Sequence, residues 1–325
     1  MRILVTLLLA LVLLWGGAWL VGARMIERSA ETWFAEQEAA GLLADFEALA
    51  VAGFPARMTL EIERLRLADP RLGTGWEMPA LSVEWQARRP GLVRAVPEGG
   101  HRLFLAGAPQ ELDAATMAGH LELGGHTGAL REAVLEAAEL RLVPLAETGG
   151  GGALGRLELR VSATPDAPER LALALGLRDL ALRGLDGAAA TPMERLDMAA
   201  TLVMEAPLDS RAAQRMPQPT ELIVESGTLD WGETQGRAEG RLDIGPDGLP
   251  EGRIDLEVRE WRPLLHLAAE LGALEPGLVP TWERVLETLE EAGARPGVLS
   301  MPLVYRGGRV SLGPLPLGPA PRLRF

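Results

Sequence analysis

Along most of this chain apolar residues fall at every second position. "ALSVEWQA" sets Leu81, Val83 and Trp85 on one side of an extended backbone and Ser82 and Glu84 on the other. The alternation returns, with turn residues between, in "GHLELGG", "AELRLVPL", "LGRLELRVSA", "RLALALGLRDLALRGL", "MERLDMAATLVME" and "TELIVESGTLDWG". It continues in "GRAEGRLDIG", "EGRIDLEVREW", "GVLSMPLVY" and "GRVSLG". One apolar face and one polar face at period two is the pattern of antiparallel sheet, and about a dozen strands are expected after Val51. In "TLEIERLRL" the apolar phase slips at Arg64, from Leu60 and Ile62 to Leu65 and Leu67, which predicts a bulge.

Three stretches depart from that period. From Ile3 to Ala23 no residue is charged, and as a helix at ~1.5 Å per residue this run matches the ~30 Å hydrocarbon core of a bilayer. Trp15 and Trp19 would then sit at a membrane interface, with everything after Ala23 on the periplasmic side of the inner membrane. Val21-Gly22-Ala23 also satisfies a signal-cleavage pattern, so a cleaved signal is the alternative, and both readings export the chain. Residues 24–50 carry Met25, Ile26, Trp33, Phe34, Leu42, Leu43 and Phe46 at loosely helical spacing, predicting a juxtamembrane helix. Late in the chain "WRPLLHLAAELGAL" and "PTWERVLETLEEAG" predict a helical hairpin, with Pro280 placed to start its second helix. Around Ala114 to His120 a further short helix is expected.

The expected fold is therefore mainly β (α+β): a large twisted antiparallel sheet, a late helical hairpin and an N-terminal transmembrane helix. Residues 1–23 form the anchor or signal segment, 24–50 the juxtamembrane helix and 51–325 one β-rich periplasmic domain, because no linker separates independent parts. The ending "GRVSLGPLPLGPAPRLRF" places Pro314, Pro316, Pro319 and Pro321 after a strand; lacking amide hydrogens, this tail is expected along a sheet edge or over the apolar face.

Charge and composition narrow the chemistry. The net charge of -13 makes nucleic acid an unsuitable partner, since such binding rests on basic residues displacing counterions. The 32 basic residues are all arginine, which excludes Schiff-base and phosphate-loop lysines, and the absence of cysteine excludes thiolate sites. "GGGALG" at Gly150 to Gly155 formally matches a dinucleotide fingerprint, but a strand follows it where a helix is required. His120, Glu122 and His126 share a face in an extended strand without a third strong ligand beside the histidines. His101 and His266 are isolated, and Glu290-Glu291 reads as a solvated helix face. No residues are assigned to catalysis, metal or cofactor. "EWQARRPGLVRAVPE" gathers Arg88, Arg89 and Arg94, which either balance nearby acids or meet phosphate headgroups or a protein partner.

The span ending in "LLWGGAWLVGAR", the segment "VAGFPARM" (Val51 to Met58), "ALSVEWQARRPGLVRAVP" and the ending "GRVSLGPLPLGPAPRL" resemble the bacterial envelope family called domain of unknown function 2125. Ala56 stands where that family usually has Asn. More loosely, "GRAEGRLDIGPDGLPEGRIDLEV" is similar to hairpins of AsmA-type and YdgA-like envelope proteins, a resemblance that implies long curved sheets with a lipid-accommodating groove. The surplus of one-sided strands over covering helices leads to the expected function: a non-catalytic, membrane-anchored periplasmic protein with an apolar groove, binding lipid in envelope maintenance. The alternative is an assembly factor that docks an envelope protein on its sheet edge without bound lipid.

Overall fold

The computed structural model describes residues 2–54, 57–86, 89–105, 108–124, 128–145, 151–182, 191–213, 215–270, 274–293, 295–313 and 315–324, with side chains from residue 19 onward except at 86, 90 and 213. Its chain divides into two compact units, Met1–Glu122 with Arg141–Gly149, and Leu123–Leu140 with Gly150–Phe325. The division crosses the chain three times, inside strands between Glu122 and Leu123 and between Leu140 and Arg141, and again between Gly149 and Gly150.

The first unit opens with helix α1 (Arg2–Ala39). The expected juxtamembrane helix over 24–50 stops short: Gly41 takes φ +86°, and the Leu42 amide closes back on the Gln37 carbonyl at 3.1 Å, a glycine-terminated helix end. Beyond it β1 (Leu43–Asp45) and β2 (Ala48–Ala52) pair with opposite ends of β3 (Arg57–Asp69). The pairing with β3 outweighs the loose helical spacing of Leu42, Leu43 and Phe46.

β3 pairs along its length with β4 (Thr74–Gln86), after which the sheet forks. The later half of β4 pairs with β5 (Arg89–Glu98) and its first residues with β6 (His101–Leu105). Next, β6 pairs with β7 (Ala108–Asp113), β5 with β8 (Thr116–Gly124), and β7 with the last residues of β9 (Ala129–Pro144), every ladder antiparallel. The short helix expected around Ala114 to His120 is thus replaced by the start of β8, whose residues find a partner strand in β5.

The phase slip at Arg64 is real but is not a one-sided bulge. Ile62 lies opposite Leu81 and Leu65 opposite Met78 with the register unbroken, and Arg64 itself has φ +50°. Both strands change their apolar side together, next to the fork. Buried Phe34 of α1, with Ile26 and Ala30, covers Leu60, Ile62, Leu65 and Met78 on the resulting face.

The second unit is a meander of β10 (Gly152–Thr164), β11 (Ala167–Leu182), β12 (Met193–Met204), β13 (Pro219–Trp231), β14 (Thr234–Ile244), β15 (Pro250–Arg259), β16 (Leu299–Arg306) and β17 (Arg309–Leu312), each antiparallel to the next. Between β15 and β16 stand α2 (Arg262–Glu270) and α3 (Val279–Glu291), with Pro280 in the first turn of α3. Trp261, Leu265 and Leu286 of this hairpin bury against Leu299 and Met301.

The proline tail pairs as strand β18 (Leu315–Pro319) on β17, and the chain continues past it with the Ala320 amide on Gly308 O (2.8 Å) and the Leu323 amide on Gly248 O (2.8 Å). It lies along the sheet edge, where proline is tolerated because only one side must pair. The described residues form eighteen strands, more than the dozen expected, since short segments such as β1, β6 and β18 carry too few residues to show alternation.

Among residues with described side chains, no helix is long and apolar enough to cross a membrane; the side chains of residues 3–18, most of the run expected to do so, lie outside them.

Candidate functional site

In the second unit, strand pairing aligns the apolar positions into rows perpendicular to the strands. One row is Leu157, Leu177, Leu196, Leu229, Gly236, Val258 and Leu299; the next is Leu159, Leu175, Met198, Gly227, Ala238, Leu256 and Met301. A third runs Val161, Leu173, Ala200, Val224, Gly240, Ile254 and Leu303, and a fourth Ala163, Leu171, Leu202, Leu222, Leu242, Gly252 and Tyr305. No charged residue interrupts these rows across seven strands.

The opposite face of the same strands is ionic. Arg178 and Arg195 both reach Asp197, Arg160 reaches Glu132 (2.6 Å) and Glu158 (3.4 Å), and Arg253 pairs with Asp255. Burial pushes the Asp197 carboxyl up, but the hydrogen bonds from Arg178 and Arg195 outweigh it and hold the group below the usual carboxylate range. These pairs are largely exposed and stabilise the sheet little. Their consequence is orientation: water is satisfied on one side, so the apolar rows must find cover on the other.

Cover is incomplete. The α2–α3 hairpin packs over the Leu299 and Met301 end, and Leu171, Ala200, Val224 and Leu242 are buried. Leu157, Leu159, Leu173, Leu175, Leu177, Leu196 and Leu229 are only half-buried, and Met198 is 37% exposed. Within this face β14 contributes Gly236, Ala238 and Gly240, none of them buried; they lie opposite Leu229, Gly227 and Val224 of β13 and Val258, Leu256 and Ile254 of β15, and the Leu229 side chain covers Gly236, whose Cβ would stand 3.2 Å from Leu229 Cβ. Neighbouring strands lie about 4.8 Å apart, so the small residues Gly227 and Ala238, side by side between Met198 of β12 and Leu256 of β15, leave a shallow apolar trough along that row.

The first unit holds a different cavity, about 450 Å³, where the sheet forks. Arg64, Arg66, Glu77, Met78, His101 and Arg102 are among its lining residues. His101 is 4% exposed, its Nδ1 has no partner, and desolvation lowers its pKa from the ordinary value of 6.5 against the opposing pull of Asp113. Its ring meets Trp76 edge-on at 5.8 Å. On the polar face Arg66, Glu77, Arg102 and Glu111 stand in one cross-strand row, with Glu77 bridged to Arg66 (2.7 Å) and Arg102 (3.2 Å). Isolated spacing gave no reason to single out His101, because its burial comes from strands paired across the fork.

A family model described as "Uncharacterized protein conserved in bacteria (DUF2125)" matches residues 19–321. The chain belongs to the DUF2125 family. No curated protein and no solved structure matches it, so the looser likeness to AsmA-type and YdgA-like proteins gains no support from the comparisons.

For this DUF2125 chain the residues singled out in the sequence separate. Arg88 lies outside the described residues, and Arg89 is exposed at the start of β5. Arg94 sits in β5 opposite Glu84 on one side and His120 on the other. His126 lies outside the described residues, and among those described no three His, Cys, Asp or Glu side chains gather as a metal site. Gly152 opens strand β10 and not a helix, so the glycine run of the fingerprint leads into a strand. His266 pairs with Glu283 at 3.4 Å across the hairpin. Glu290 is not simply solvated: it accepts the Trp261 indole N–H at 2.8 Å, while Arg262 stacks on the same ring at 4.7 Å and reaches Glu287 at 2.5 Å. The side chain of Trp15 is outside the description. Trp19 donates to the Arg57 carbonyl at 3.2 Å and packs edge-on against Phe54 at 5.6 Å, contacts no single-residue argument could supply.

Proposed function

We propose that this DUF2125 protein is a non-catalytic, membrane-anchored periplasmic protein that seats the acyl chain of a lipid on the apolar face of its second unit. The observation that supports this reading most directly is the pair of small residues Gly227 and Ala238, neither buried, between Met198 and Leu256 on the apolar face. A hydrocarbon chain fits such a trough, and each methylene it buries there contributes about 0.8 kcal/mol. The uncharged run Ile3 to Ala23 supports the anchor, because it has the length of a bilayer core. The alternative is an assembly factor without bound lipid, whose protein partner would meet Arg89 or the tail strand β18 at the sheet edge.

The test is photocrosslinking in the full chain. A photoreactive amino acid at Met198, on the apolar face, should give a lipid adduct by mass spectrometry, and one at Glu239, on the opposite face of β14, should not. No adduct at Met198, or a protein adduct in its place, would reject the lipid reading.

A further inference from the structure

We infer that Gly53 and Phe54, which follow β2, dock into the bilayer surface beside the anchor, with Phe54 as an inserted side chain and Arg24 and Arg57 facing lipid phosphates. This rests on the reading of Ile3 to Ala23 as a membrane span and adds a second contact to it.

Trp19 belongs to that uncharged run, four residues before its end, which along a helix is about 6 Å. In a spanning helix it stands at the boundary between acyl chains and headgroups, the depth that indole rings prefer. Whatever Trp19 holds is held at that depth. It holds two residues there: its indole N–H donates to Arg57 O at 3.2 Å, and its ring meets Phe54 at 5.6 Å with the planes at 86°. One turn further on, a Cβ at Gly22 would stand 3.0 Å from Met58 Cε, so the helix and the start of β3 are in close contact there as well. The turn after β2 is fixed by Gly53 at φ +98° and by the Arg57 amide on Gly53 O at 3.1 Å. That turn is one glycine supports readily and a side chain strains.

Despite these ties the surface stays apolar and uncovered. Phe54 is 52% exposed, Leu20 60%, Val21 63% and Met25 64%. Exposed aromatic and aliphatic side chains next to a hydrophobic run suit an acyl environment. Cations flank them: the side chains of Arg24 and Arg57 are 74% and 66% exposed, each with a carboxylate near it, Glu27 at 3.1 Å and Glu84 at 3.9 Å. Their long stems allow the guanidinium groups to exchange those partners for phosphate oxygens. The occupant this fits is a phospholipid surface.

The chain contains no cysteine, so single cysteines can carry nitroxide labels without background. The full chain would be reconstituted in vesicles of phosphatidylethanolamine and phosphatidylglycerol with labels at Leu9, Phe54 or Leu72, the last being 69% exposed at the β3–β4 turn. Collision with oxygen, which enriches in the bilayer, is compared with collision with a water-soluble nickel chelate. The expected result is that labels at 9 and 54 are shielded from nickel at least several-fold relative to 72. If 9 is shielded while 54 collides with nickel as freely as 72, docking at Phe54 is refuted and the anchor stands. If 9 is itself open to nickel, the anchor reading fails and the docking proposal with it. Phe54 is half out of the protein, so its replacement leaves the β2–β3 pairs from Ala52–Thr59 to Ala48–Glu63 in place.

Discussion

His101 stands with its Nδ1 enclosed and unpaired, so charging it means placing a cation where it is poorly hydrated. Burial depresses its pKa below 6.5 more than Asp113 restores it. The unfolded chain therefore binds the proton first, and stability present above the unfolded value is lost as pH falls through 6.5 toward the lower folded value. Chemical denaturation at about pH 7.5 and about pH 5 should show the midpoint falling in the native protein, and His101→Gln should shrink that difference. An equal fall in both would show that His101 is not the group responsible. The sequence did not reveal this residue, because "GGHRLF" looks like any exposed strand start; only pairing of β6 with both β4 and β7 encloses it. Arg64 shows the opposite case. Its phase slip could be read directly, but that β4 slips with it is a property of two strands together.

At the scale of elements, the α2–α3 hairpin packs on the sheet around the buried ring of Trp261. Trp261 is 3% exposed, packs with Leu265, Leu286 and Met301, and donates to Glu290, while Arg262 lies over its face. Trp261→Ala should destabilise the protein by about 3–5 kcal/mol, and Trp261→Phe, which keeps most of the packing but leaves Glu290 without its donor, by about 1–2. Denaturant midpoints distinguish the two. The tail makes a second element-scale prediction. Ending the chain after Gly313 removes β18 and leaves β17 with unpaired amides and carbonyls. The truncated protein should associate with rising concentration in light scattering, where the full chain does not. Long alternating strands and the amphipathic hairpin were legible because each declares its face within one segment. The fork, the end of α1 at Ala39 and the division into two units were not, since they depend on pairing between segments distant in sequence.

For the molecule as a whole, the open question is what completes the apolar face of the second unit, and thermodynamic linkage makes it measurable. A ligand that binds only the folded chain stabilises it by about 2.7 kcal/mol at a hundredfold excess over Kd, which for a protein of this size raises Tm by roughly 5 °C. Palmitate at saturating concentration should produce such a shift. The control must fill the trough without breaking the sheet. Gly240 is unsuitable: a Cβ there would stand 2.3 Å from Arg253 O, so any side chain disrupts the β14–β15 ladder itself. Ala238 already carries a Cβ on the apolar face, and Ala238→Phe adds its ring where the hydrocarbon would lie. That variant should melt near the ligand-free value of the native protein and show no shift with palmitate. Met198→Asp provides an independent check, because a carboxylate on the exposed part of the face costs the bound chain its apolar surroundings and leaves the buried Leu171, Ala200 and Leu242 untouched. If palmitate raises the native Tm and both variants abolish the effect, hydrocarbon occupies the face between β11 and β15. A shift that survives both substitutions would place the hydrocarbon elsewhere, with the apolar cleft of about 410 Å³ lined by Trp33, Leu43, Trp76, Phe104 and Leu105 in the first unit as the next position to probe.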